Sequence, residues 1–289
     1  MRHRGRLVGV GIATAIVLAA VLASSVAARH QGDGAVLDAF DLGREGALQA
    51  RLPQGLREIS GLALSADGRL FAHGDEVGIV YELDPATGTV RRSFSLGGPP
   101  PPGDFEGIAV AGERVFLITS GGRLYETRAG EGRVAYTAYE TGLGAQCEIE
   151  GLAYEPSDAS LLAGCKEPRD QALRGTVTLL RWSVDRRAPA TPARLSVPLA
   201  SVTALTGTKH FHPSAVERER GTGHYVLVAG PEHAVVEITP AGEVVAGRQL
   251  SGRLHRQPEG LTFVGDSVLL IGDEGGGRHG TLTAYPRAR

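Results

Sequence analysis

The chain is poor in lysine, cysteine and aromatic residues. Lys166 and Lys209 are its only lysines, and a formal net charge of −2 gives no electrostatic basis for binding nucleic acid. Phe, Trp and Tyr make up 5% of the residues, which argues against an aromatic-lined carbohydrate groove. Two cysteines are too few to build a zinc site from thiolates. After residue 28, no segment has the run of about 20 apolar residues that a membrane span requires.

The N-terminal segment 1–28 has the pattern of an export signal. Three arginines within the first six residues precede an uncharged, mostly apolar run over 7–28. The run ends in small residues that signal peptidase reads, and it is also long enough to stay as a signal anchor. Either alternative exports the rest of the chain, so we expect a periplasmic protein, free or tethered to the inner membrane. A linker over 29–36 and one domain over 37–289 should follow.

A short motif recurs five times along the exported part. An acidic residue, or serine in the fourth copy, precedes a small residue and a short apolar run. The copies are marked by Glu58, Glu106, Glu150, Ser214 and Glu259, which are 48, 44, 64 and 45 residues apart. A period of this size is typical of a β-propeller, in which each repeat forms one small sheet.

Strand and turn signals predict four strands in each of the first four repeats and three in the fifth. Because an open ring would leave exposed sheet edges, we expect a strand from 36–52 to complete the last blade. The sequence therefore predicts an all-β, five-bladed β-propeller that is closed by an N-terminal strand. The long interval over 188–212 leaves a six-bladed ring as the alternative.

The acidic residues of the repeats are the strongest indication of function. The first strand of every propeller blade starts at the same mouth of the channel, and the second strand returns to that mouth. Carboxylates that crowd there raise one another's pKa values, and Ca²⁺, which takes about six to eight oxygen ligands, relieves the repulsion. The predicted Ca²⁺ ligands are Glu58, Glu76, Glu106, Glu150, Glu167, Glu259 and Glu274. The alternative is that these glutamates pair with arginines or accept backbone N–H bonds.

Several other residues lie near this predicted mouth. Lys166 follows the second strand of the third repeat, and His212 and Ser214 precede the fourth inner strand, so all three are candidates for binding a ligand. Cys147 and Cys165 flank one predicted hairpin, which favours a disulfide in an oxidising compartment. Two buried thiols remain the alternative.

In combination, these motifs resemble the SdiA-regulated (YjiK-like) family. The resemblance covers about 37–289 and is carried by the motif at 58–63, its counterparts at 104–109 and 147–152, and Gln-Pro-Glu-Gly-Leu at 257–261. It implies an exported five-bladed propeller with a bound calcium ion. It also implies a relationship to calcium-regulated propellers of Gram-negative bacteria and, more loosely, to esterase-like phytase sequences.

Three functions are consistent with this pattern. The first is a monomeric, exported binding protein that holds Ca²⁺ at the channel mouth and serves envelope calcium or an unknown small-molecule or protein ligand. The second is a calcium-dependent phosphoesterase of the phytase type, in which the metal polarises a phosphoryl oxygen. No phosphatase motif is present, and the catalytic residues of such an enzyme stay unknown. The third is an interaction scaffold with a structural metal. Ser214 departs from the family pattern, because it replaces a glutamate of the ring.

Overall fold

The computed structural model describes residues 34–43 and 47–288, in which five β-sheets surround a central channel. The predicted signal peptide or signal anchor lies outside the described residues, as does most of the predicted linker. No helix in the described ranges has the length and apolar character needed to span a bilayer.

The strands of each blade follow one another along the chain. Strand β1 (Leu48–Arg51) precedes them. Blade one contains β2 (Ile59–Leu64), β3 (Leu70–Gly74), β4 (Ile79–Leu83) and β5 (Val90–Leu96). Blade two contains β6 (Phe105–Ala111), β7 (Arg114–Thr119), β8 (Arg123–Arg128) and, after β9 (Gly132–Val134), β10 (Tyr136–Glu140).

The remaining blades have the same antiparallel order. Blade three contains β11 (Cys147–Glu155), β12 (Ser160–Pro168), β13 (Thr176–Ser183) and β14 (Ala188–Pro198). Blade four contains β15 (Ala215–Arg218), β16 (Tyr225–Ala229), β17 (Ala234–Ile238) and β18 (Val244–Gln249). Blade five contains β19 (Pro258–Val264), β20 (Val268–Asp273), β21 (Thr281–Pro286) and β1.

The N-terminal strand closes the ring, as the sequence predicts. Strand β1 pairs antiparallel with β21, so that Leu48 lies opposite Ala284. The alternative of six blades is wrong, because the long interval between repeats three and four forms β14 and one helix, α1 (Leu199–Thr206). The five-bladed propeller is therefore confirmed.

One predicted strand is divided between two blades. The sequence predicts a single strand over 133–140, but β9 pairs parallel with β5 of blade one and β10 pairs with β8 of blade two. The chain changes sheets at Ala135, whose carbonyl oxygen accepts a hydrogen bond of 2.7 Å from the Thr127 hydroxyl group. This exchange ties the first two blades together.

The hydrophobic core lies between blades rather than within any one of them. Each of five clusters of buried apolar side chains combines residues of two neighbouring blades, including the pair formed by blades one and five. The glycine of the repeated motif allows the inner strands to approach. A Cβ atom on Gly107 would lie 2.8 Å from the backbone of Gly151, and one on Gly151 would lie 2.8 Å from Ala215. The small residue that recurs in the sequence is therefore a packing requirement.

The segment before β1 is fixed to blade four by a buried carboxylate. Val36 and Leu37 begin a short 3-10 helix (Val36–Ala39), and their backbone N–H groups each donate a bond of 2.9 Å to Glu237. Val36, which the sequence assigns to the linker, is thus packed in the core. The two oxygens of Glu237 thus accept the first N–H groups of the helix, which would otherwise have no partner within it.

Candidate functional site

Near its start, the first strand of a blade has a residue that pairs with no residue of the second strand. In β2, β6 and β19, the residues without a partner on the second strand are Ser60, Glu106 and Glu259. Glu150 lies in a similar irregular stretch of β11. A bulge of this kind turns a side chain away from the regular pleat. Ser214, just before β15, occupies the corresponding place in blade four, and these five residues are called the mouth ring.

The mouth ring differs from the predicted glutamate ring in blade one. Glu58 lies two residues before the ring position, which Ser60 occupies instead. The Ser60 hydroxyl group donates a hydrogen bond of 2.7 Å to Glu106. Glu58 accepts a bond of 2.7 Å from Arg57. The small residue, which is glycine in four blades and Ala215 in blade four, therefore marks equivalent positions in the repeats better than the acidic residue does.

Glu150 and Lys166 form the centre of the acidic mouth. The Lys166 ammonium group contacts Oε1 of Glu150, whose side chain is only 5% exposed. Within the described ranges, Oε2 of Glu150 is buried without a hydrogen-bond partner. A buried carboxylate oxygen without a donor is unfavourable, so this atom has the capacity to bind a further group.

The three glutamates of the mouth ring are electrostatically linked. Burial, followed by the charge of a neighbouring glutamate, raises the pKa values of Glu106 and Glu150 to about 8. Burial also raises the pKa of Glu259 to about 7, although the charge of Lys166 opposes the increase. For Lys166, burial lowers the pKa, but the hydrogen bond and charge of Glu150 outweigh it and leave a net increase. Near neutral pH the three carboxyl groups are therefore only partly ionised, and Lys166 keeps its positive charge.

Two residues of blade two extend the cluster. Asp104 lies near Glu106, and its charge contributes to the raised pKa of Glu106. The Ser120 hydroxyl group donates a bond of 2.5 Å to Asp104. The sequence prediction did not include Asp104. Asp104 lies two residues before Glu106, just as Glu148 lies two residues before Glu150.

A second acidic group lies beside blade one. A cavity of about 260 Å³ is lined by Glu58, Asp75 and Glu76. Burial is the main cause that raises the pKa of Asp75, and the charges of Glu58 and Glu76 raise it further. Burial and the charge of Asp75 raise the pKa of Glu274. Glu58, Glu76 and Glu274 thus belong to this neighbouring group, whereas the other mouth glutamates surround Lys166.

His212 is held between two carboxylates. Its backbone N–H group and Nδ1 atom lie 3.0 Å and 2.6 Å from the two oxygens of Glu232. Its Nε2 atom lies 3.3 Å from Oε1 of Glu167, whose side chain is 59% exposed. The predicted metal ligand Glu167 is thus placed beside His212 and points largely to solvent.

Ser214 has a structural partner. Its hydroxyl group donates a bond of 2.6 Å to the carbonyl oxygen of Pro258 and accepts one of 3.1 Å from the backbone N–H group of Gly230. Ser214 is buried and joins blade four to blade five. Its hydroxyl group is therefore committed to the backbone rather than presented to a ligand.

A disulfide lies directly beside the mouth. Cys147 and Cys165 are bonded, with their Cα atoms 5.5 Å apart, and they join β11 to β12. These two strands carry Glu150 and Lys166. The disulfide therefore fixes the relative position of the two residues at the centre of the cluster.

The mouth has oxygen atoms that suit a hard cation, but they do not form a complete coordination shell. In residues 34–43 and 47–288, no three His, Cys, Asp or Glu side chains are close enough together to form a metal site directly. The donor set nevertheless consists of carboxylate and hydroxyl oxygens, which Ca²⁺ prefers, and Oε2 of Glu150 is available. The residues fit such an ion by chemistry, provided that Lys166 moves away from Glu150.

Neither a protein-family model nor a curated protein matches the chain. Similar solved structures include the glutaminyl cyclase of Myxococcus xanthus, with 16% identity, coverage of 84% of this chain and 97% of that chain, and a TM-score of 0.56. The PQQ-bound aldose sugar dehydrogenase of Streptomyces coelicolor has 14% identity, 84% and 99% coverage, and a TM-score of 0.53. A luciferin-regenerating enzyme has 8% identity, 83% and 95% coverage, and a TM-score of 0.53. These likenesses establish the fold alone: the chain is a β-propeller with enzymes among its structural neighbours.

Proposed function

We propose that the protein is an exported β-propeller that binds Ca²⁺ through Glu106, Glu150 and Glu259 at the channel mouth. The observation that carries this proposal is the buried, unpartnered Oε2 atom of Glu150 within the described chain, beside two more carboxyl groups of raised pKa. Asp104 and the Ser60 hydroxyl group are further oxygen donors next to Glu106.

Lys166 is the counter-ion that a metal would replace. Its ammonium group contacts Glu150, and its charge also acts on Glu259. A doubly charged ion at the same place would favour the ionised form of every carboxyl group in the cluster. Calcium binding should therefore release protons and should strengthen as the pH rises towards 8.

Export is supported by the cysteine pair and by the sequence of the N-terminal segment. A disulfide persists in an oxidising compartment such as the periplasm and is rare in the cytosol. Residues 147 and 165 are bonded, which suits that location. Membership of the SdiA-regulated (YjiK-like) family remains part of this proposal, together with a role in envelope calcium or ligand binding.

The test is the thermal stability of the protein, expressed from the full chain, with calcium and with chelator. At a calcium concentration of about 100 times Kd, the free energy of unfolding should increase by about 2.7 kcal/mol. Glu150→Gln should remove the increase, because glutamine keeps the shape of glutamate but lacks its charge. Glu131→Gln is the matched control, since the side chain of Glu131 is 81% exposed. An equal calcium effect in the Glu150→Gln variant and in the wild type would contradict the proposal.

A phosphoesterase of the phytase type is the less favoured function. Lys166 already contacts Glu150, so the mouth offers little positive charge to a densely anionic phosphoester unless a metal intervenes. Hydrolysis of a generic phosphomonoester and of phytate, each assayed with calcium and with chelator, distinguishes the enzyme from the binding protein. A scaffold with a structural metal would show the calcium-dependent increase in stability without turnover.

A further inference from the structure

A second cavity lies at the other end of the channel. Its volume is about 360 Å³, which is within the usual range of small-molecule sites. The hairpin turns after the first strands reach this end, and Ala66, Gly112 and Pro156 line the cavity there. It therefore opens on the face of the ring opposite the acidic mouth.

The walls of this cavity are mostly small and apolar. Ala63, Ala109 and Ala153, from the inner strands of blades one, two and three, line it together with Leu64 and Leu152. The three alanines are almost fully buried between the blades, whereas Leu64, Val110 and Tyr154, which also line the cavity, are only partly buried. The cavity can thus accommodate the apolar body of a ligand.

Glu217 of β15 is the acidic group in this wall. The Thr262 hydroxyl group donates a bond of 2.8 Å to its Oε2 atom, and the backbone N–H group of Arg218 donates one of 2.9 Å to Oε1. The carboxylate is therefore oriented, and each oxygen keeps acceptor capacity. The side chain remains partly accessible, as a group that lines a cavity must be.

Two arginines also line this cavity, and their guanidinium groups bond to other acceptors than Glu217. The Nε atom of Arg218 lies 3.0 Å from Glu155, and a guanidinium nitrogen of Arg220 donates a bond of 2.8 Å to the carbonyl oxygen of Leu64. No ion pair to Glu217 is found in the described part of the chain. Burial raises the pKa of this carboxyl group to about 7, because its two hydrogen bonds and the charges of Arg220 and Arg218 compensate the charged form only in part.

A positively charged group would provide that compensation. The inner strands are also the edges of their sheets, so that backbone groups on the channel side are free of sheet pairing. We propose that the cavity binds a small amphipathic amine, with its ammonium group bonded to Glu217 and its apolar body against Leu64, Val110 and Tyr154.

The test uses n-hexylamine as the probe and 1-hexanol as a neutral control of the same length. Calorimetric titration of the wild-type protein at pH 8 should detect hexylamine binding at least tenfold tighter than hexanol binding. Glu217→Gln should remove this preference. Glu131→Gln should leave it unchanged, because the side chain of Glu131 is 81% exposed and does not line the cavity. Loss of hexylamine binding in Glu150→Gln but not in Glu217→Gln would place the amine at the acidic mouth and overturn the proposal.

A measurement on the wild-type protein avoids any effect of substitution on folding. Hexylamine affinity should fall as the pH decreases from 8 to 6, because Glu217 takes up a proton near pH 7 and the amine loses its charged partner. Hexanol affinity should not change over the same range. A hexylamine affinity that is independent of pH, or equal to that of hexanol, would contradict the proposal.

Discussion

Lys166 and Glu150 are in direct contact, and the strands that carry them are joined by the Cys147–Cys165 disulfide. The contact uses one oxygen of the Glu150 carboxylate, while the other is buried and has no hydrogen-bond partner in the described residues. The pair is therefore both fixed in place and incompletely satisfied. This combination is expected at a binding site, where a ligand supplies the missing interaction.

Replacing Lys166 by methionine should destabilise the protein in a pH-dependent way. At pH 8 and without calcium, the free energy of unfolding should fall by about 3 kcal/mol, because a buried carboxylate loses its counter-ion. At pH 5 the loss should be smaller, since the carboxyl groups are then protonated. Denaturant unfolding at both pH values measures the difference. Lys209→Met is the control, because Lys209 is exposed. An equal loss at both pH values would contradict this role of Lys166.

Without calcium, the melting temperature should fall as the pH rises from 5 to 8. The pKa values of Glu106, Glu150 and Glu259 are raised in the folded state to about 8, 8 and 7. A raised carboxyl pKa favours folding while the group is protonated, and that contribution is lost as the pH increases through the folded-state value. Glu106→Gln should make the dependence on pH shallower, and saturating calcium should do the same. A melting temperature that rises over this range would refute the electrostatic account.

Removing the disulfide should weaken both the fold and the mouth. Cys147→Ala combined with Cys165→Ala should lower the free energy of unfolding by about 3 kcal/mol, because the unfolded chain gains freedom. Calcium affinity should also fall, since β11 and β12 carry Glu150 and Lys166. Denaturant unfolding and calcium titration of the double variant measure the two effects. Unchanged calcium affinity would show that the disulfide does not position the site.

Glu237→Ala should release the segment before β1. The carboxylate accepts the backbone N–H groups of Val36 and Leu37 and contacts His224, so its loss leaves buried donors unpaired. The expected cost is about 2 kcal/mol in the free energy of unfolding. Hydrogen exchange at residues 36 and 37 should accelerate, whereas the exposed control Glu243→Gln should behave as wild type. Unchanged exchange at these two positions would contradict the assigned contact.

The ring of five blades was predictable because its causes are local. Turn signals, apolar strands and a small motif residue recur in each copy. This residue is glycine in four of the five copies, and it allows the inner strands to approach, as between Gly107 and Gly151. The missing strand of blade five could be inferred from the rule that sheet edges are covered. These features depend on short stretches of sequence and on general properties of β-sheets.

Most details of the mouth depend on bulges, which the sequence does not reveal, although the distance of Glu58 from Gly61 shows that blade one departs from the other copies. The motif of blade one has its acidic residue two positions early, so Ser60 takes the ring position and Glu58 joins Asp75. The transfer of β9 to blade one depends on pairing with distant β5. The partnership of Glu150 with Lys166 was hidden for the same reason, since the irregular register of β11 decides which side chains meet.

The most direct test of the calcium site is calorimetric titration at pH 7.5 in two buffers that differ in ionisation enthalpy. The account predicts that calcium binds the wild-type protein and releases protons. The Glu131→Gln variant should bind calcium in the same way, and the Glu150→Gln variant should not bind it. The absence of calcium binding by the wild-type protein, or equal binding by the Glu150→Gln variant, would contradict it.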